Sequence, residues 1–270
     1  MTLIILGLIG GLFHLGRFEV RAFEHSAAAD IRSKLSGDQR EVSVKADVGI
    51  EGIWGDVHAV AIHASRFQTE GLPLYTEPKR SHRGVVRDLT IRLSDFSLSG
   101  MHIESLDAEI PDCRFDLPLA MRHREIRLSR SGLGLGRVVV NEKDLENFIL
   151  LKFHEIKQVS VKIDKDKIFV DGSGEFLFLK TTFSVIAKLD SPDGNQLFLT
   201  YARIFLDGHP ADNAQKKVLL DTLNPVLDLD SDLKLNGAIR VESIELRNGL
   251  LSASGPTKIP DVPLNRSSGS

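Results

Sequence analysis

The chain reads as an α+β protein in which long amphipathic helices pack on a strongly curved antiparallel β-sheet. Three observations predict this class. Short runs that alternate apolar and polar residues recur along most of the 270 residues, which is the period of strands with one buried face. A few stretches instead place apolar residues at helical spacing. The stretch from Val159 to Leu206 then reads as a continuous meander, whose later strands are apolar on both faces. In Phe176-Leu-Phe-Leu179 and Leu197-Phe-Leu-Thr-Tyr201 large side chains point to both sides. An antiparallel sheet ordinarily leaves one face to water, so two apolar faces call for two covers. One cover can be a helix. The other is either a second protein layer or an apolar ligand, and that choice is the functional question.

Composition narrows the field. Hydrophobic content of 42% and charged content of 26% are those of an ordinary folded domain. The net charge of −3 gives no overall pull toward nucleic acid. The single cysteine, Cys113, excludes an intrachain disulfide and a cysteine-rich zinc site. Fourteen Phe against one Trp and two Tyr suit a greasy interior.

Leu3 to Leu15 is almost wholly apolar. It is shorter than the ~20 residues of a membrane-spanning helix, and no Lys or Arg precedes it as in a usual signal peptide. It reads as a signal or anchor segment over 1–16, with a buried helix of the fold as the alternative. Arg17 to Leu35 follows as an amphipathic helix with Phe23, Ala27, Ile31 and Leu35 on one face, stopped by Gly37. Strands are expected at Glu41–Asp47 and Asp56–Phe67. Thr69 to Arg83, with Gly, two Pro and a basic cluster, reads as a long loop. Further strands are expected at Val85–Leu93, Phe96–Leu106 and Cys113–Leu128. Asn141 is a natural N-cap for a second helix, with Glu142 and Asp144 where the dipole favours them and Leu145, Phe148, Ile149 and Phe153 as its stripe. A third helix spans 211–223 and ends at Asn224-Pro225. The last hairpin, Ala238–Leu246 and Leu250–Ser254, turns at Asn248-Gly249. From 256 to 270 no periodicity remains, and a disordered tail is expected. Val42-Ser-Val-Lys-Ala-Asp47 recurs as Val159-Ser-Val-Lys-Ile-Asp164, each copy after a helix and opening a run of strands. This suggests two related halves, 17–137 and 138–255, within one domain.

Catalytic and metal signatures are weak. His58 and His63 fall on opposite faces of one strand, and His154-Glu155 lacks the second His of a zinc helix. Asp228-Leu-Asp-Ser-Asp232 begins like a calcium loop, but Leu233 and Ile239 stand where Gly and Glu are required. It reads as a solvated acidic turn. Gly132-Leu-Gly-Leu-Gly136 lacks phosphate-cradle spacing. No cofactor, metal or catalytic residue is expected. Arginines are denser: 114, 122, 124, 127, 130 and 137 stand against Asp116 and Glu125. With Lys79, Arg80 and Arg83 they form either a cationic patch for anionic lipid head groups or an ordinary solvated face.

The order of elements carries a resemblance. An apolar start precedes an amphipathic helix and a meander. A strand and polar cap, Val138-Val-Val-Asn-Glu-Lys-Asp-Leu145, then open a helix. V-x-V hairpins, a helix ending Leu223-Asn-Pro225, and Ile244-Glu-Leu-Arg-Asn-Gly-Leu250 with Gly255 follow. Over about Phe18 to Gly255 this resembles the LmeA-like phospholipid-binding family of bacterial envelope proteins. The resemblance implies a tubular lipid-binding, BPI-like architecture in which a curved antiparallel sheet wraps a long helix around an apolar groove. It also implies an exported, non-enzymatic protein whose partners are phospholipid and the membrane surface. On that reading the groove residues are Phe176, Phe178, Phe183, Val185, Leu197, Leu199, Tyr201, Ile204 and Leu206. The opposite parity (Leu177, Leu179, Ile186, Phe198, Phe205) packs on a helix, the choice of parity being open. Head groups sit near Lys79, Arg80, Arg83, Arg122 or Arg124. The alternatives are an envelope scaffold with a packed core and a protein partner, and a hydrolase whose triad is only spatial.

Overall fold

The computed structural model describes residues 20–49, 51, 54–123, 125–176 and 179–263, without the side chains of Phe176 and Leu179. The expected segment 1–16, Leu177, Phe178, Arg124 and residues 264–270 lie outside the described residues.

Helix α1 covers 20–33. The chain continues through β1 (Glu41–Asp47), β2 (Asp56–Ser65), β3 (Gln68–Thr69), β4 (Gly84–Leu98), β5 (Met101–Phe115), α2 (Leu117–His123), β6 (Leu128–Arg130), β7 (Gly134–Asn141) and α3 (Glu142–Lys152). Then come β8 (Ile156–Asp164), β9 (Lys167–Phe176), β10 (Leu179–Asp190), β11 (Gln196–Leu206), β12 (His209–Pro210), α4 (Asn213–Leu223), β13 (Leu227–Asp228), β14 (Ser243–Arg247) and β15 (Leu250–Thr257). The class is α+β, but the helices are short: α2 has 7 residues, and α3 and α4 have 11 each. Each ends where its cap is written. Asn141 accepts from the Asp144 N–H to start α3, and Asp212 forms a full capping box with Gln215 to start α4. Strands, not helices, therefore carry the architecture.

Two sheets result. The large one runs β1-β2-β4-β5-β7-β15-β14, with β3 and β6 on its margins, and the small one runs β12-β11-β10-β9-β8. The small sheet is antiparallel throughout and curls into a half-barrel. The large one contains a parallel pair, β2 with β4, where a simple meander was expected. Residues 70–83 return the chain across the face so that β4 starts level with β2. The hairpin β4–β5 is longer than its sequence suggests. Its turn is at Ser99-Gly100, both at positive φ, and not at Ser94-Asp95. Asp95 and Asp112 instead sit at positive φ inside the strands, where one pair drops out of the ladder without a change of register. The expected strand Cys113–Leu128 is broken by α2. The expected tail begins later than 256. Pro256 and Thr257 belong to β15, Ile259 is buried, and Asp261 pairs with Thr76.

The meander in the small sheet buries one parity only. Phe183, Val185, Leu197, Leu199 and Ile204 lie in one buried core with α3 and α4 residues such as Phe148, Leu219 and Leu223. Ile186, Phe198 and Phe205 remain half-exposed outside it. The helices thus cover the parity expected to face a ligand.

The repeated six residues occupy equivalent places. Both β1 and β8 are edge strands, and an edge leaves backbone N–H groups unpaired. In each copy a glutamate of the preceding helix fills the gap. The Ala46 N–H donates to Glu24 Oε1 at 2.9 Å, and the matching Ile163 N–H donates to Glu142 Oε1 at 2.6 Å. The Val161 N–H donates likewise to Glu146 at 2.9 Å. Burial works to raise the Glu146 carboxyl, but Lys143 and the Val161 N–H outweigh it and hold it below the usual carboxylate value. Replacing Glu146 with Ala should cost about 1–3 kcal/mol in urea unfolding, the cost of an unmet buried donor.

Candidate functional site

The inner face of the large sheet shares one buried core with the half-barrel, and that core is not completely filled. Between the sheet and the half-barrel lies a cavity of about 170 Å³. One wall is the sheet: Ala64 from β2, Ile91 and Leu93 from β4, Met101, Ile103 and Ala108 from β5, Val138 and Val140 from β7, and Leu251 and Ala253 from β15. Within each strand these residues alternate with more exposed ones, and in β5 the inward parity changes between Ile103 and Ala108.

The opposite wall comes from a stretch that the sequence reading passed over. Residues 226–241 cross from the half-barrel to the large sheet with little regular structure. The Val226 N–H bonds the Leu197 carbonyl at one end, and the Arg240 N–H bonds that of Pro256 at the other. Val226, Leu227, Leu229, Leu233, Leu235, Ile239 and Val241 face the cavity. The intervening acids face outward and hold the turn. Asp228 accepts from the Asp230 and Ser231 N–H groups, Asp230 from that of Gly237, and Asp232 from Lys152 Nζ at 2.6 Å. The signal was present in the Leu-Asp-Leu-Asp-Ser-Asp-Leu-Lys-Leu alternation, read only for its acids.

A strap closes the third side. Leu72, Pro73 and Leu74 lie across the cavity, between anchors at Thr69 and Thr76. Thr76 is 1% exposed and donates to Asp261 Oδ1 at 2.5 Å, while its N–H bonds the Pro260 carbonyl at 2.8 Å. A second cavity of about 210 Å³ continues under α1 and shares Ile31, Ile62 and Leu74 with the first. The α1 stripe behaves as its spacing predicts, with Phe23, Ala27 and Ile31 lining this second space.

Chemically the main wall is close to uniform. Thr257 and Lys258 are its only polar residues, and the Thr257 hydroxyl is already donated to the Ala238 carbonyl at 2.9 Å. No wall group is aimed inward to polarise or attack a substrate. A water needs polar partners and takes a share of about 30 Å³, so the first cavity has room for about five or six water-sized groups but little to hold water in place.

Of the expected groove residues only Leu197 lines the cavity. Phe183, Val185, Leu199 and Ile204 are packed inside the half-barrel, with the Phe183 ring laid against Gly172. Leu206 is half-buried beside them. Tyr201 does not join them: it is 87% exposed, at a bulge where its φ is positive. The side chain of Phe176, like Phe178, lies outside the described residues. Of the expected head-group residues Arg80 is paired, and its neighbour Arg127 is paired as well. Arg80 bonds Glu77 and approaches Asp116 at 3.9 Å, and Arg127 bonds Glu125 and approaches Glu77. Lys79, Arg83 and Arg122 are exposed.

One polar cluster sits at the far end of the long hairpin. His102 lies between Asp144 (2.8 Å) and Asp95 (3.0 Å), tying α3 to β4 and β5. Burial opposes the imidazolium, but the two carboxylates outweigh it and hold the His102 pKa above its ordinary 6.5. A raised folded value stabilises fully below the unfolded value and is lost as pH rises through the folded one. The stability gap between the parent and His102→Gln should therefore shrink as pH rises from 5 to 8 (urea midpoints at each pH). Cys113 is fully buried, and burial pushes its thiol up, away from reactivity. Among the described residues no group of three or more His, Cys, Asp or Glu could hold a metal. No helix among them is long and apolar enough to cross a membrane.

Comparison with protein families, with curated proteins and with solved structures gives no match.

Proposed function

We propose that this chain is a non-enzymatic lipid carrier that holds a phospholipid acyl chain in the cavity beneath the large sheet. The observation that carries the reading is the wall itself: apolar but for Thr257 and Lys258, and adjoining a second space across Ile31, Ile62 and Leu74. About five or six methylenes of the chain held away from water at about 0.8 kcal/mol each would contribute about 4–5 kcal/mol. The same chain leaving a bilayer exchanges one apolar medium for another, so the step in either direction is nearly balanced. That combination suits carriage better than catalysis. The curved sheet around an apolar space is also what a tubular lipid-binding architecture in a bacterial envelope protein would use.

Native mass spectrometry of the full chain, expressed in bacteria and purified with a detergent-free final step, tests this. Phospholipid bound at defined stoichiometry is the expected result. A clean apo mass that persists after incubation with phospholipid vesicles would overturn the carrier and leave the scaffold reading.

A further inference from the structure

We infer that one end of the large sheet is a docking surface for an anionic lipid bilayer, built from Trp54, Met121 and a set of unpaired arginines. This deepens the carrier reading and rests on it for its purpose, since a carrier must meet the membrane it loads from.

Several independent features converge on that end. The β2 strand begins there, β4 begins level with it, and β5 finishes there and leads directly into α2. Trp54, just before β2, is 81% exposed, and Met121 on α2 is 70% exposed. Their elements touch, because Gly55 lies so close to the Leu117 side chain that an added Cβ would sit 2.5 Å from it. Exposed Trp beside basic residues suits the head-group region, where an aromatic body and a polar edge are both accommodated.

The charges fit the same partner. Arg114 and Arg130 stand directly opposite each other across β5 and β6. Facing like charges destabilise a strand pair, so an external anion would relieve them. Neither residue, nor Arg83 or Arg122, makes an ion pair among the described residues. The nearby acids are engaged: Asp56 by Arg87, Asp116 by Arg80, and Glu125 by Arg127. Asp112 and Glu51 stand against the surplus, with Glu51 3.7 Å from His58.

One further fact gives this end a use: the second cavity reaches it, since Phe23, Val57, Val86 and Phe115 line that space.

Trp54 is the sole tryptophan, so it reports its own surroundings. The full chain would be mixed with vesicles of phosphatidylcholine alone and of equal phosphatidylcholine and phosphatidylglycerol, each with and without brominated acyl chains. The expected result is a blue shift and bromine quenching of Trp54 on the anionic vesicles, with little of either on the neutral ones. The double variant Arg114→Glu/Arg130→Glu should need about tenfold or more lipid for the same quenching. Met121→Asp, a separate exposed change, should weaken quenching as well. Trp54 left in water on vesicles that still sediment the chain would overturn the proposal, since another segment then holds the membrane. So would charge reversal without effect. Native mass spectrometry of the same variants separates the two ideas. Bound lipid without docking sinks this surface alone, and docking without bound lipid sinks the carrier.

Discussion

Ala64→Phe combined with Ala253→Phe should reduce co-purified phospholipid at least severalfold while leaving the protein folded, with a melting temperature close to the parent's. Both alanines line the cavity, from β2 and β15. In a close-packed core each added ring would force off-rotamer side chains and cost about 1–3 kcal/mol or more. Here the rings enter space that the fold already leaves open, and they gain contacts that the wall atoms lack. Lipid occupancy is read by native mass spectrometry, and stability by thermal unfolding after delipidation. Delipidation matters because a ligand bound only to the folded state would itself raise the parent's melting temperature. Folded double variants that keep their full lipid load would place the lipid elsewhere.

Ile204→Ala should destabilise the protein by about 2–5 kcal/mol. Leu235→Ala should cost less, toward the lower end of that range. Ile204 is 1% exposed and packed within the half-barrel, outside the cavity wall. Its truncation removes buried methyl groups and leaves a new void that rigid neighbours cannot fill. Leu235 is also buried, at 6% exposed, but one side of it already faces open space, so fewer contacts are lost. Urea midpoints for the two variants, with delipidated protein, give the comparison. Equal costs would mean that the cavity is filled in solution as tightly as the half-barrel.

These two substitutions mark where reading the chain in order succeeds and where it stops. Local signals were reliable. Asn141 caps α3, Asp212 opens α4 close to the expected start, Asn224-Pro225 ends it, and Asn248-Gly249 turns the last hairpin. The α1 stripe of Phe23, Ala27 and Ile31 points where its spacing says. The short repeat even marks equivalent edge strands, each sealed by a helix glutamate. All of these depend on neighbours within a turn or two, or on a period that survives any packing.

The cavity was not legible in that way. Apolar alternation in β5, β7 and β15 is identical whether the facing layer is protein or empty space, so period alone cannot separate a core from a pocket. The most apolar strands, β10 and β11, drew the groove assignment, yet they curl tightly enough for α3 and α4 to fill their interior. The wall across from the large sheet comes from 226–241, where leucines alternate with acids in a stretch whose strand is only the two-residue β13. A count of charges along the chain includes Asp116 and Glu125 but omits Glu77, which stands in another segment and pairs with Arg80. Sequence alone determined the α+β class and the limits of α3 and α4. Tertiary structure decided which apolar face stays open and which arginines stay unpaired, because both depend on which distant segment arrives to cover them.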